Sequence, residues 1–179
     1  MSLEARIRRG SKHTITEHRI CDITIRPFDA DRDAEWVRVI VGEIWGGGDD
    51  ALIEKEFGVI GGRPWSEWLS DSILSYLQAD GARSFVAERS GDVVGFCSYT
   101  VDDARRRGTV GYNGVARSHQ GTGIGSAMLD FVMSGIRAEG MEYAIVLVAD
   151  NEEHLPALRN YEKHGFRRFT GYHHMVQKL

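Results

Sequence analysis

The pattern of apolar and polar positions predicts a chain in which strands and helices alternate. A β-rich run from Ile20 to Arg26, ended by Pro27, predicts a first strand. From Trp36 to Ile44 the apolar residues recur at helical spacing, which predicts an amphipathic helix. Three acidic residues before it suit the N-cap and first turn of that helix: Asp29, Asp31 and Asp33.

Glycine interrupts this pattern between Gly46 and Gly62, where the sequence predicts a long connection with a turn or two of helix over 51–57. Long connections inside compact domains are often functional. A second helical pattern follows Pro64, and Gly81 is its expected stop.

Several predicted strands follow. Ser84–Glu88 and Val93–Val101 are separated by a short turn signal, which predicts a hairpin. Thr109 to Ala116 is a further strand whose internal glycines, Gly111 and Gly114, indicate either a bulge or the close approach of another backbone or a ligand.

The last third of the chain begins with a predicted helix from Ile124 to Ile136. The run Tyr143–Ala149 is almost continuously apolar, which is typical of a central strand covered on both faces. A short helix over 156–164 and one or two strands over 166–179 complete an α/β chain.

The composition narrows the class of protein. The 179 residues are 42% hydrophobic and 27% charged, and a chain of this length can bury a core without disulfides or a structural metal. The formal net charge of −4 argues against general binding to nucleic acid or to an anionic membrane. No apolar run approaches the roughly 20 residues of a membrane span. Cys21 and Cys97 lie in apolar stretches and are expected to be reduced, buried thiols, so we expect a cytoplasmic protein.

Residues 1–19 differ from the rest because they are basic, poor in apolar residues and without a clear period. A basic arm and a disordered leader both fit this composition. We expect disorder there and a single domain over 20–179.

The most informative segment is the glycine-rich loop at 120–125, with the sequence Gln-Gly-Thr-Gly-Ile-Gly, between a predicted strand and a predicted helix. Backbone N–H groups at a helix N-terminus bind phosphates, and glycine lets the ligand approach closely. A P-loop would require Lys after the last glycine, and a dinucleotide-binding loop would require a third glycine where Ser126 stands. Neither spacing fits this loop.

The segment from Val115 to Gly125 resembles the acetyl-CoA signature of the GCN5-related N-acetyltransferases (the GNAT family). That signature is an apolar strand followed, after about four residues, by Gln/Arg-Gly-x-Gly-x-Gly/Ala. A second segment, 161–166, has the sequence Tyr-Glu-Lys-His-Gly-Phe and is similar to the family's Tyr-Glu-Lys-x-Gly-Phe, with Ala157 four residues before the tyrosine. The order of predicted elements also agrees from residue 20 to residue 179.

This resemblance implies a GNAT-like fold, a mixed and strongly twisted sheet with helices on both faces, and acetyl-CoA as the acetyl donor. The loop amides would hold the coenzyme A pyrophosphate. The strand before the loop would pair with the pantetheine arm where it splays from the next strand, and Asn151 would face the same arm. The implied cofactor-binding positions are Val115, Ala116, Gln120, Gly121, Thr122, Gly123, Ile124, Gly125, Ser126 and Asn151.

The resemblance also implies direct attack of an amine on the acetyl thioester, with Tyr161 as the general acid for the leaving thiolate. An alkyl ammonium has a pKa of roughly 10, so a base or a chain of waters must remove its proton first. Some relatives carry Glu on the strand before the loop, where Tyr112 and Asn113 stand here. Beside a water relay, the candidate bases, each of which is otherwise an ordinary surface charge, are Glu43, Glu88, Asp102 and Asp103.

Relatives build the acceptor site from the first helices, their connection and the later strands, and all four tryptophans fall in that first region: Trp36, Trp45, Trp65 and Trp68. Tryptophans at helical spacing are ordinarily core residues, which is our expectation for this group. Trp45, at the edge of the glycine-rich connection, is the best candidate for contact with the acceptor, and Tyr112 is the second. The adjacent His173 and His174 would point to opposite faces of a strand, and no metal site is expected.

We therefore expect an enzyme that transfers an acetyl group from acetyl-CoA to a primary amine of a small molecule. The alternatives are acetylation of a protein N-terminus or lysine, and a non-catalytic sensor of acyl-CoA. A peptide acceptor would favour an open groove, whereas a small amine would favour a pocket capped by residues 46–65. No nucleic-acid or membrane partner is expected, and a homodimer is compatible with the sequence.

Overall fold

A mixed sheet of seven strands runs through the protein, described here from a computed structural model over residues 18–20, 22–171 and 173–177. The strands are β1 (His18–Ile20), β2 (Ile23–Pro27), β3 (Arg83–Arg89), β4 (Asp92–Asp102), β5 (Arg107–Val110), β6 (Gly114–Val115) and β7 (Tyr143–Val146). The helices are α1 (Ala30–Ile44), α2 (Asp49–Phe57), α3 (Trp65–Leu77), α4 (Ile124–Ala138) and α5 (Leu155–Lys163). No helix within these ranges is both long and apolar enough to cross a membrane.

The first five strands lie side by side as antiparallel neighbours, and β7 joins β5 in parallel, which confirms the predicted mixed sheet. The long strand β4 changes partner along one edge. It pairs with β5 from Tyr99 to Asp102 and with β6 at Gly95 and Phe96. Because β7 pairs with β5 and not with β6, the outer edge of β6 faces no strand in the part of the chain that the structure describes.

Helices cover both faces of the sheet, as the family resemblance implies. On one face, α4 packs Met128 and Val132 into a core. On the other face, α1 and α3 pack Val37, Ile40 and Ile73 against the sheet. The fold class predicted from the sequence is therefore confirmed.

Helix α4 lies close to the sheet because each surface of the contact carries a glycine, Gly135 on the helix and Gly108 on β5. A Cβ atom at Gly135 would lie 2.6 Å from the Tyr99 hydroxyl, and one at Gly108 would overlap the side chain of Ile136. These two positions leave room only for a hydrogen atom, so the helix is fixed against the strands.

The predicted strand over 109–116 is broken in the structure into β5 and β6. Close packing is the reason, since a Cβ atom at Gly111 would lie 2.5 Å from both the Ser98 Oγ and Tyr76 hydroxyl oxygens. A Cβ atom at Gly114 would lie 2.7 Å from Ile44. The groups that approach these two glycines are side chains, and not the backbone or ligand that the sequence predicted as the alternative to a bulge.

Strand β7 is not the central strand that its apolar run predicts. Tyr143 and Ile145 are 49% and 39% exposed, and β7 pairs only with β5 among the described residues. The predicted final strands are also wrong, because residues 166–171 and 173–177 contain neither helix nor strand. An apolar run indicates burial, but its place in a sheet depends on which segment pairs with its free edge. His173 and His174 accordingly lie outside any strand, and the His174 Nδ1 atom contacts the Asp49 carboxylate.

The first predicted strand is likewise divided. β1 and β2 form a tight antiparallel pair in which Ile20 faces Ile23. Cys21 and residues 1–17 lie outside the described residues, so the extension over 1–19 and the domain bounds remain predictions. Cys97 is buried, as predicted, and burial raises the pKa of its thiol to about 12.

One buried ion pair fixes the first helix to the sheet. Asp33, predicted as an ordinary first-turn acid, is fully buried and accepts two hydrogen bonds of 2.7 Å from the Arg26 guanidinium on β2. It also accepts a hydrogen bond of 2.9 Å from the backbone N–H of Asp29, the N-cap residue of α1. The Arg26 guanidinium reaches Glu88 on β3 as well, at 3.1 Å. Burial alone would raise the pKa of Asp33, but the hydrogen bonds from Arg26 and Asp29 outweigh it and hold the pKa below its ordinary value of 3.8.

We expect Asp33→Ala to destabilise the fold by about 3 kcal/mol, because it leaves a largely buried guanidinium without its main partner. The measurement is the free energy of unfolding from urea denaturation. The matched control is Asp31→Ala, which removes an exposed acid from the same helical turn and should cost no more than about 1 kcal/mol.

The pH dependence follows from the lowered pKa of Asp33. The ionised Asp33 carboxylate stabilises the folded state fully above its unfolded-state pKa of 3.8. This stabilisation is lost as the pH falls through the lower pKa that Asp33 has in the folded protein. The Asp33→Ala protein should therefore lose less stability below pH 4 than the Asp31→Ala protein. Equal stability of the two variants at pH 7 would contradict this account of the ion pair.

Candidate functional site

The glycine-rich loop joins β6 to α4 through a single 3-10 turn at Arg117–His119. Two side chains fix its path. Gln120 Nε2 donates to the Val115 carbonyl at 3.1 Å, and Thr122 Oγ1 donates to the His119 carbonyl at 2.7 Å.

Gly121 and Gly123 adopt left-handed backbone conformations, with φ of +74° and +91°, which side chains rarely tolerate. A Cβ atom at either position would meet nothing within 4 Å. The outer surface of the loop is therefore open to a ligand.

The start of α4 has the properties of an anion site. Gly123 is its N-cap and no side chain caps it, so the amides of the first turn keep their hydrogens free. These amides belong to Ile124, Gly125 and Ser126, and the helix dipole adds partial positive charge there. The Ile124 side chain itself is buried in the core, so this residue offers only its backbone to a ligand.

The strand before the loop offers a second backbone surface. The Ala116 N–H donates to the Val94 carbonyl at 2.9 Å, toward β4. Because alternate residues of a strand bond to the same neighbour, the N–H and C=O groups of Val115 face the outer edge of β6. The Val115 N–H is available for pairing by an extended ligand, as the resemblance implies, whereas the Val115 carbonyl already accepts from Gln120 and the Ala116 N–H is bonded to β4.

Asn160 on α5 holds the start of α4 by two hydrogen bonds. Its Oδ1 atom accepts from Ser126 Oγ at 2.8 Å, and its Nδ2 atom donates to the Gly125 carbonyl at 3.2 Å. Sequence reasoning missed this residue, because nothing in its local pattern marks it apart from its position next to Tyr161. The side chain of Ser126 is thus engaged with Asn160, and its backbone N–H remains available.

Tyr161 is buried at the end of the same helix, 6% exposed, with its ring packed edge-to-face against Phe166. Its hydroxyl oxygen accepts a hydrogen bond of 2.9 Å from Asn113 Nδ2. The same Nδ2 atom donates to the Gly111 carbonyl at 3.1 Å, which fixes the orientation of the amide because a carbonyl can only accept. The phenolic hydrogen of Tyr161 is therefore free to be donated to another group.

Burial raises the pKa of Tyr161, and the hydrogen bond from Asn113 offsets the shift only in part. The phenol consequently stays protonated at neutral and mildly alkaline pH. Sequence reasoning also missed Asn113, whose hydrogen-bond partner lies 48 residues away in the chain.

The two acceptor-site candidates lie together in the structure. The rings of Trp45 and Tyr112 are 6.5 Å apart and nearly perpendicular, and Tyr76 packs edge-to-face on Tyr112 at 5.2 Å. Tyr112 directly precedes Asn113, so this aromatic cluster is adjacent in the chain to the Tyr161 contact. Trp36 and Trp68 are 42% and 47% exposed, so the expectation that they are core residues is wrong.

Three of the candidate bases are engaged elsewhere. Glu88 pairs with Arg26 and Arg32, and Asp102 pairs with Arg105. Glu43 accepts a hydrogen bond of 2.9 Å from the Arg117 N–H.

Asn151 caps the turn after β7 by accepting from the His154 N–H at 3.1 Å. Its Nδ2 atom donates to the Gly47 carbonyl at 3.2 Å. This side chain therefore ties the segment after β7 to the glycine-rich connection on the acceptor side.

The sequence matches the acetyltransferase (GNAT) family over residues 51–166. A mycothiol acetyltransferase from Sanguibacter keddieii is 34% identical over 96 residues, which make up 51% of this chain and 30% of that protein. The chain thus spans about a third of the length of the curated relatives it matches.

Solved structures share the fold. The ribosomal-protein-S18-alanine N-acetyltransferase from Escherichia coli aligns over 83% of this chain and 79% of its own, with a TM-score of 0.61 and 19% identity. AAC(6')-Iy in complex with the bisubstrate analogue CoA-S-monomethyl-acetylneamine aligns over 88% of this chain and 99% of its own, with a TM-score of 0.58 and 15% identity. Since the family match covers more than half of the sequence, this chain belongs to the GNAT family of acetyltransferases.

Proposed function

We propose that the protein is an N-acetyltransferase that transfers the acetyl group of acetyl-CoA to a primary amine of a small molecule. The observation that carries this proposal is that the uncapped start of α4 lies near the buried Tyr161 phenol, whose hydrogen is free to be donated. Asn160 joins the two through its contacts with Gly125 and Ser126, directly beside Tyr161.

The donor would lie along the loop and the outer edge of β6. The pyrophosphate fits the free amides at the start of α4, and the pantetheine arm would pair with the Val115 N–H, since the Val115 carbonyl already accepts from Gln120. The open space around Gly121 and Gly123 supports this placement, because no side chain obstructs the loop. The complex of AAC(6')-Iy with a coenzyme A analogue shows that a protein of this fold binds such a ligand.

The reaction would proceed in one step. The neutral amine nitrogen attacks the acetyl carbonyl carbon, a C–N bond forms, the C–S bond breaks, and the thiolate leaves. Tyr161 donates its phenolic proton to that thiolate, since its oxygen already accepts from Asn113 and no described residue accepts its hydrogen. The ammonium loses one proton to solvent water before the attack, the nitrogen loses a second one after it, and the Tyr161 phenolate regains a proton from solvent. Transfer to water is proposed because three of the four candidate carboxylates are held by other groups.

The inference that the acceptor is a small molecule is supported by a cavity of about 250 Å³ lined by residues from Asp50 to Trp68, largely within the region predicted to cap a small amine. A cavity of this size is at the small end of ligand pockets. The relatives named mycothiol acetyltransferases support transfer of an acetyl group, but they match over only part of their length. The free phenolic hydrogen of Tyr161 argues against a non-catalytic sensor. A cytoplasmic location and a homodimer remain predictions.

The direct test is a panel of amines screened for release of free thiol from acetyl-CoA. We expect turnover with small primary amines and none with their alcohol analogues. Thiol release that is independent of any amine, or confined to peptides, would contradict the proposed acceptor.

We expect Gly123→Glu to abolish binding of coenzyme A, measured by calorimetry, because the variant places a carboxylate and a strained backbone at the proposed pyrophosphate site. The matched control is Gly140→Glu, at the other end of α4. Gly140 also has a positive φ, of +79°, so the control introduces the same charge and similar strain away from the loop. Unchanged affinity in the Gly123 variant would refute the donor site.

We expect Tyr161→Phe to lower kcat about 100-fold with little change in the affinity for acetyl-CoA, because the ring stays and only the proton donor is removed. Tyr143→Phe, which removes the hydroxyl of an exposed tyrosine on β7, serves as the control. Since burial raises the pKa of Tyr161, the alkaline loss of kcat in the wild type should begin only above about pH 10.

Asn113→Asp separates proton donation from packing, because the side chain keeps its size but loses its donor. The Tyr161 hydroxyl would then donate to the new carboxylate and lose its role toward the thiolate. A variant that folds normally and keeps the wild-type kcat would show that the orientation of this hydroxyl is irrelevant to the reaction.

A further inference from the structure

The cavity on the acceptor side has walls of a distinct chemical character. It lies between α2, the loop over 58–64 and the first turn of α3, with a volume of about 250 Å³. Its apolar walls are formed mainly by Ile53, Ile60, Trp65 and Trp68. Ile60 and Trp68 are 56% and 47% exposed, which is uncommon for large apolar side chains that lie together.

The one cationic side chain in the wall, Arg63, is already neutralised. Its guanidinium lies 4.4 Å from the ring centroid of Trp68, and it bonds to Glu67 at 3.1 Å and to Asp71 at 2.6 Å. Arg63 therefore supports the Trp68 ring and has little capacity to attract an anionic ligand.

The acidic side chains of the wall are less fully paired. Glu54 accepts a hydrogen bond of 2.5 Å from the Trp65 N–H and so caps the start of α3. Asp50 lines the cavity as an exposed side chain, and it forms neither a hydrogen bond nor an ion pair with any residue that the structure describes. An apolar cavity with an unpaired carboxylate at its edge is complementary to a cation that carries an apolar body.

The cavity adjoins the aromatic cluster of the candidate site. The Gly48 N–H, at the start of α2, donates to the Trp45 carbonyl at 2.9 Å. Asp50 follows two residues later, in the first turn of α2, and the Trp45 ring lies 6.5 Å from the Tyr112 ring. Tyr112 in turn precedes Asn113, the partner of Tyr161. An ammonium attracted by Asp50 would thus lie on the side of the cavity toward the proposed reaction.

We propose that this cavity selects the acceptor, and that the acceptor is an amphipathic amine with an aromatic or alkyl body held against Trp68 and Ile60 and its ammonium directed to Asp50. The inference rests on the proposed function for the identity of the reacting group. It excludes polyamines and amino sugars as preferred acceptors, because polyamines carry charges along their whole length and amino sugars carry hydroxyl groups around theirs.

The test measures binding separately from turnover. The dissociation constant of 2-phenylethylamine is determined by calorimetry in the presence of saturating coenzyme A, which has no acetyl group to transfer. Two comparison ligands complete the set: 2-phenylethanol has the same body without the charge, and spermidine has charge without the aromatic body. We expect 2-phenylethylamine to bind at least tenfold more tightly than either.

The variants Asp50→Asn and Trp68→Ala should each weaken 2-phenylethylamine about tenfold. Their matched controls, Asp80→Asn and Trp36→Ala, change an exposed acid and an exposed tryptophan outside the cavity and should leave its affinity unchanged. Equal binding of 2-phenylethanol, tighter binding of spermidine, or unaltered affinity in the two cavity variants would overturn the inference.

The outcomes also separate this inference from the proposed function. Thiol release with hydrophilic amines that is insensitive to the cavity variants would leave the transferase standing and remove the selectivity. Cavity-dependent binding of 2-phenylethylamine without any thiol release would support the selectivity of the cavity and contradict the proposed acetyltransferase activity.

Discussion

The change of partner along strand β4 is the constraint on which the rest of the site depends. One edge of β4 pairs with β5 and then, nearer its start, with β6. The chain can cross from one strand to the other only because Gly111 and Gly114 leave room for Tyr76 and Ile44. This break frees the outer edge of β6 for an extended ligand. It also brings Asn113, which lies within the break, to the Tyr161 hydroxyl.

Polar contacts between distant segments then complete the geometry. Asn113 bonds to α5, and Asn160 on α5 bonds back to the start of α4. The hydroxyl of the proposed acid and the amides of the proposed phosphate site are thereby connected through a few short bonds. These bonds are partly buried, and hydrogen bonds with reduced access to water hold side chains more firmly in one orientation.

The sequence predicted the helices and the glycine-rich loop, because both leave local signals. The helical spacing from Trp36 to Ile44 predicted α1, and the spacing of Gly121, Gly123 and Gly125 predicted a glycine-rich loop that leads into α4, whose binding of an anion stays a prediction. The buried role of Asp33 could not be predicted, since a first-turn acid has the same pattern whether it faces solvent or an arginine. The prediction that β7 is a central strand was wrong for a related reason. Its apolar residues indicate burial, but the order of strands in a sheet is set by pairing between remote segments.

Asn113 and Asn160 were not predicted because their partners lie 48 and 34 residues away. An asparagine in a loop or on a helix has no periodic signature. In contrast, Trp45 was chosen as an acceptor candidate from its place at the edge of the glycine-rich connection, and Tyr112 stands where some relatives carry Glu. The structure brings their two rings together, and their contact with an acceptor stays a prediction.

The close packing of α4 onto the sheet makes the two sides of the proposed site differ in rigidity. One side is the glycine-rich loop at the start of α4, and the other is the cavity wall formed by residues 58–64. With Gly108 and Gly135 pressed against Ile136 and Tyr99, the loop at the start of α4 is held by a rigid support before any ligand arrives. A ligand bound there loses little of its affinity to fixing the protein, which is the advantage of a preorganised site. Residues 58–64 have no such support, since Val59 and Ile60 are exposed and a Cβ atom at Gly58 or Gly62 would meet no described atom within 4 Å. Segments with few buried contacts open most easily, so the glycine loop is the more rigid of the two sides of the proposed site.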